Sequence, residues 1–242
     1  MHEETTFDQK LQKLNETQKP TSGMRLWSDI ILYSLILFIV VSSYYFIQRG
    51  SYDFGIFNQV LSNVGMLLIG LSFALSGICY FWNFADHFII YRKQLGVVGF
   101  GYVFTHGILS LFFLPEYQPI LFYYLEKETI LAFLFALIAI VIYVLMIIIS
   151  TKTIIQKIGG HTWRILLRVG YIAYVLSLAH MWLNSYTYWL RYLSGQGRSP
   201  LPSFGLLTFL AGIVVIILRI AVWVSTSKKT AQTPPSQSQL PT

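Results

Sequence analysis

The sequence predicts an all-α membrane protein, a bundle of six transmembrane helices. Three observations point there. Hydrophobic residues make up 55% of the 242-residue chain and charged residues only 11%. The mean hydropathy is +0.60, far outside the range of water-soluble domains. Several apolar runs reach the roughly 20 residues that a helix needs to cross about 30 Å of hydrocarbon.

Residues 1–25 read as a polar tail with mixed charge and no cleavable signal peptide, in which Phe7, Leu11 and Leu14 could line a short surface helix. The first span is Ile30–Ile47, entered past Arg25 and Asp29 and left through Gln48 and Arg49; Ser51–Asn58 reads as a turn. The second span, Val60–Trp82, is richer in small residues. Gly70 with Ala74, and Ser72 with Ser76, have the small-xxx-small spacing that lets helix backbones approach closely. Asn83–Gln94, with Asp86, His87, Arg92 and Lys93, reads as a polar loop.

The third span, Val97–Leu114, is stopped by Pro115, and an acidic, aromatic loop follows to Glu128. The fourth, Ile130–Ile149, has Tyr143 as its one polar handle and reads as wall. A basic loop, Thr151–Thr162, contains Lys157, the Gly159-Gly160 break and His161. The fifth span starts near Leu166 and runs to 185, overlapping an aromatic belt that includes Trp182, Tyr186, Tyr188, Trp189 and Tyr192. Gly195–Pro202 is turn-rich, Phe204–Val224 is the sixth span, and Ser225–Thr242 has a disordered composition. The domain organisation predicted is a tail over 1–25, one six-helix domain over 26–225 and a second tail over 226–242.

Six spans put both termini on one side. That side collects Lys10, Lys13, Lys19, Arg25, Arg92, Lys93, Lys152, Lys157, Arg164, Arg168, Lys228 and Lys229, against Arg49, Lys127, Arg191 and Arg198 opposite. By the positive-inside rule both termini are cytoplasmic, in a plasma (inner) membrane. The net charge of +7 is then a topology signal, not one for nucleic acid. The single cysteine, Cys79, can make no intrachain disulfide and has no zinc or iron–sulfur spacing around it.

Two residues break the apolar pattern where breaking it is costly. His106 sits in the third span and His180 in the fifth, and an ionisable group in hydrocarbon is a functional candidate by default. From Gly96 to His106 is ten residues, about 15 Å of helix; from Arg168 to His180 is twelve, about 18 Å. Both helices run outward, so the imidazoles fall at similar depth. A haem iron held from both faces would satisfy them. A hydrogen bond across a helix interface or a proton relay would too. Ala173 and Ser177, on the His180 side of the fifth span, are small enough to leave room for a flat macrocycle or for close helix packing. His87 and His161, near Arg92, Lys93 and Lys157, read as interfacial residues, with a flavin phosphate or a quinone as the sharper alternative.

Across about residues 60–185 the chain resembles the ferric reductase-like transmembrane domain family, most of all its MsrQ branch. Two blocks carry the likeness. One is Arg92-Lys93-Gln94-Leu95-Gly96, followed by His106; the other is Lys157-Ile158-Gly159, Trp163, Arg168, Tyr171 and His180-Met181-Trp182. The resemblance implies a six-helix bundle with b-type haem between the third and fifth helices, and His106 and His180 as axial, iron-binding ligands. It implies an electron-transfer subunit of an oxidoreductase, with no catalytic residue of its own. The donor would be a quinol or a flavin reductase. The acceptor would be an extracytoplasmic partner oxidoreductase or a ferric chelate. FMN or a quinone would be a further cofactor. Where many members carry another histidine on the fifth helix this chain has Leu167, so one haem is expected. No Gly-rich strand–helix unit for flavin or nicotinamide is present. The rival reading is a haem-free transporter or scaffold that retains the fold.

Overall fold

A computed structural model describes residues 23–112, 127–197 and 199–232. Among them are six helices long and apolar enough to cross a membrane, and the chain is read as an integral membrane protein. They are α1 (Gly23–Arg49), α2 (Phe54–Phe81), α3 (Arg92–Phe112), α4 (Lys127–Ile149), α5 (Gly160–Arg191) and α6 (Phe204–Gln232). The predicted surface helix near Phe7, most of the 115–128 loop, Arg198 and residues 233–242 lie outside the described residues.

Several boundaries differ from the sequence reading. The segment expected as a polar loop is a 3₁₀ helix, Asn83–Tyr91, that feeds α3 directly. Its charged residues break the hydropathy, but not the backbone path. A short helix, Lys152–Ile158, occupies most of the basic loop. It is separated from α5 by Gly159, whose φ of +77° is one that an L side chain rarely adopts. α5 begins at Gly160, a turn or more before Leu166. α6 runs past Val224 to Gln232, through part of the stretch expected to be disordered.

α2 is the centre of the bundle. It is mostly buried, whereas the other five spans turn most of their surface outward. Asp53 starts it, its carboxylate accepting from the Ile56 amide at 2.7 Å. α2 divides the interior in two. On one side Val60, Val64 and Leu68 pack with Ile30 and Val41 of α1 and Leu95 of α3. On the other, Met66, Ile69 and Phe73 pack with Tyr143 of α4, Tyr174 and Leu178 of α5 and Val215 of α6. Exposed Ile, Leu, Val and Phe cover the outside of the bundle, where lipid is the natural solvent. Trp189 departs from the expected belt: it is buried against Phe209.

The tightest crossing is α2 on α3. A Cβ added at Gly65 would lie 2.8 Å from the Gly99 carbonyl oxygen; one at Gly99 would lie 2.9 Å from the Gly65 oxygen and from the Ile69 nitrogen. The two glycines let these backbones touch. Gly70, expected in this role, packs against the Tyr174 side chain, while Ser72 donates to the Arg92 carbonyl at 2.7 Å. The contact order 58 with 106, 65 with 99 and 72 with 92 shows α2 and α3 antiparallel. α4 and α5 form the second close antiparallel pair.

Candidate functional site

His106 and His180 are half-buried, on α3 and α5. Each ring is tied to the helix that pairs with its own. The His106 Nδ1 lies 3.0 Å from the Asn58 carbonyl of α2. The His180 Nδ1 lies 2.8 Å from the Ala132 carbonyl of α4. A carbonyl only accepts, so each Nδ1–H donates, and in the neutral ring that leaves the lone pair on Nε2. This is the arrangement a metal-ligating imidazole uses: one nitrogen fixed by a second group, the other free to coordinate.

The partners are themselves held. The Asn58 side-chain amide donates to Ser110 Oγ at 2.8 Å, one turn beyond His106. The Asn184 amide donates to the His180 carbonyl at 2.8 Å. It lies 3.3 Å from the His180 Nδ1, farther than the Ala132 oxygen. The ring orientations are thus set by α2 and α4.

The two imidazoles lie within electrostatic range of one another. Yet α3 and α5 barely touch directly: α3 packs on α2, and α5 on α4. The histidine-bearing helices are therefore joined mainly through α2 and α4, and each ring bonds to one of those two. Among the described residues no group of three or more His, Cys, Asp or Glu could hold a metal ion. A two-imidazole set suits an ion whose other ligands come from a macrocycle.

Two expectations become more definite. Of the two readings of Ala173 and Ser177, room for a macrocycle or close helix packing, their contacts favour packing. Both are buried, and Ser177 Oγ donates to the Ala173 carbonyl at 2.9 Å and sits 3.4 Å from the Tyr143 hydroxyl. That face packs on α4. And α4, read as wall without a ligand, supplies the Ala132 carbonyl. A backbone carbonyl inside a helix leaves no trace in residue identity.

The remaining candidates are dispersed. His87 is exposed, its ring 3.8 Å from that of Phe88. The His161 and Arg164 side chains lie outside the described residues. Lys93 donates to the Ser150 carbonyl at 3.2 Å. Cys79 is buried, donating to the Ala85 carbonyl at 3.3 Å. Arg168 and Arg191 are exposed. Sequence reasoning missed one residue altogether. Of the 17 Lys and Arg, sixteen sort onto the two faces; the other, Arg219, lies inside the sixth span. A window average hides a single cation among Ile, Val and Leu.

Fold and site together define an integral membrane protein with one imidazole on each of its third and fifth helices, bonded to the α2 and α4 backbones. Residues 60–178 of the chain match the family described as ferric reductase like transmembrane component. The match takes in His106 and ends just before His180. It makes this segment similar to a membrane electron-transfer component. No curated protein matches the chain.

Proposed function

We propose that the protein is a transmembrane b-type cytochrome carrying one bis-histidine haem. The observation that carries this reading is the matched pair of Nδ1–H···O=C bonds, at 3.0 and 2.8 Å, which leaves an Nε2 lone pair on each of the third and fifth helices. His106 and His180 would hold the iron. When bound, such a group gives and takes single electrons. The chain's own residues do the rest. With two histidine ligands the group would have no position left for dioxygen or substrates, so His106 and His180 would confine it to electron transfer. The Asn58 and Ala132 carbonyls raise the basicity of the rings and fix their planes. Both rings are half-buried, and that burial, with two histidine ligands, would set the potential.

The Lys and Arg distribution supports cytoplasmic termini and an inner-membrane location. Electrons would then come from a quinol or a cytoplasmic flavin reductase. They would leave toward the outer face, on whose half His106 and His180 fall in that topology, for a partner oxidoreductase of the kind the MsrQ branch serves or for a ferric chelate.

A stoichiometry test follows. Leu167 of α5 offers no ligand, and the opposite half of the bundle is filled by Phe73, Tyr171, Tyr174 and Met146: the Phe73 and Tyr171 ring centroids are 4.5 Å apart, and a Cβ at Gly170 would strike Met146 and Phe73. Protein purified in detergent should therefore give one haem b per chain by pyridine haemochrome. A value near two would contradict the packing argument; no haem in well-folded protein would contradict the reading itself.

A further inference from the structure

The bundle end opposite the histidines carries two arginines that, among the described residues, have no carboxylate partner. Arg92 begins α3 and Arg219 lies in α6, and both are half-buried. The Arg219 guanidinium stands 5.0 Å over the Tyr171 ring of α5. Tyr171 in turn donates to the Phe73 carbonyl of α2 at 3.3 Å. Arg92 is within electrostatic range of Tyr171, of Cys79 and of Arg219 itself. Four helices thus converge on one place, with two like charges facing it.

Among the described residues neither guanidinium has a carboxylate partner. Asp29, the acid nearest in the chain to this end of α1, accepts from Tyr91 at 3.3 Å instead. Stacking on a ring uses one face of a guanidinium and leaves its five in-plane N–H donors unspent. Two repelling cations inside an apolar bundle are costly unless something anionic sits between them. Tyr171 and His180 are nine residues apart, about 13 Å along α5, so this cluster is separate from the imidazole pair.

We infer that Arg92, Arg219 and Tyr171 form a binding site for a phosphate group. A carboxylate presents two oxygens and is filled by one guanidinium fork. A phosphate presents three or more and can accept from two forks arriving from different helices. The phosphate can come from an anionic lipid headgroup of the adjoining leaflet or from a water-soluble phosphate compound. This inference is independent of haem binding.

The test uses the full chain in a maltoside detergent, which carries no phosphate, titrated calorimetrically with inorganic phosphate and, separately, with dioctanoyl phosphatidylglycerol. Saturable binding of at least one is expected, weakened about ten- to a hundredfold in Arg92→Gln and in Arg219→Gln, as for loss of hydrogen bonds to a charged group. Binding of inorganic phosphate identifies a soluble source. Binding of the lipid alone identifies a headgroup. Arg219→Lys, which keeps the charge but not the fork, should bind more weakly than wild type and more tightly than Arg219→Gln. If Arg219→Gln does not fold, Arg92→Gln and Arg219→Lys carry the comparison. No binding of either probe, or binding unchanged in the variants, overturns the inference.

Discussion

His106→Ala and His180→Ala are each expected to abolish haem retention, lowering haem per chain by about tenfold or more. Loss of an outer-shell partner alone costs ten- to a hundredfold in metal affinity, and loss of a ligand should cost no less. The two substitutions should not add. With one axial imidazole gone, the second has lost the arrangement that made it a ligand, and the double variant should look like either single one. Each alanine also leaves a small hole between helices, so free imidazole in the buffer should restore part of the pigment. His87→Ala is the matched control. That ring is exposed and lies tilted against Phe88, so its loss should leave haem content unchanged. Equal pigment in all four proteins would remove His106 and His180 from the site.

Gly99→Val is the second substitution with a large expected effect. The added side chain meets the Gly65 carbonyl, the Ile69 nitrogen and the Ile69 side chain, each 2.9 Å from where its Cβ must sit. Two of these are backbone atoms and cannot swing aside, so α2 and α3 must separate. Overpacking of this sort costs about 1–3 kcal/mol, occasionally more. The functional loss should exceed the stability loss. The same crossing holds Asn58 beside His106, and a shift of an ångström lengthens the 3.0 Å bond that orients the ring. A lowered melting temperature together with haem loss is expected. Gly101→Val is the control: a Cβ there meets nothing within 4 Å, and both readouts should stay at wild-type values. If Gly99→Val bound haem normally, the α2–α3 contact would not be what sets His106.

The parts of this protein that could be read from sequence are those where a residue type conflicts with hydrocarbon. Six runs of apolar residues declare six helices because no other segment conformation satisfies its backbone in lipid. His106 and His180 stand out because no Lys, Arg, Asp or Glu lies close to either in the chain. Arg219 is equally polar, but its neighbours Ile216, Ile217, Leu218 and Ile220 swamp it in any average. The 83–94 segment misled for the converse reason: Asp86, His87, Arg92 and Lys93 lower its hydropathy although its backbone stays helical.

What could not be read was chiefly backbone. The carbonyls of Asn58 and Ala132 hold both rings, and any residue at those positions would present the same atom. Nor does a small-residue pattern say which member makes the close approach. Ser72, Gly70 and Gly65 all lie along α2. They meet, in turn, the Arg92 carbonyl, the Tyr174 side chain and the Gly99 backbone. That choice depends on the register between helices, which only the assembled bundle defines.

The central claim is that two neutral imidazoles grip one iron from opposite sides. Near-infrared magnetic circular dichroism of the oxidised, purified protein tests it most directly, because the charge-transfer band reports the pair of axial ligands. A low-spin ferric haem with bis-imidazole ligation is the expected result. A high-spin or mixed-ligand spectrum would contradict it.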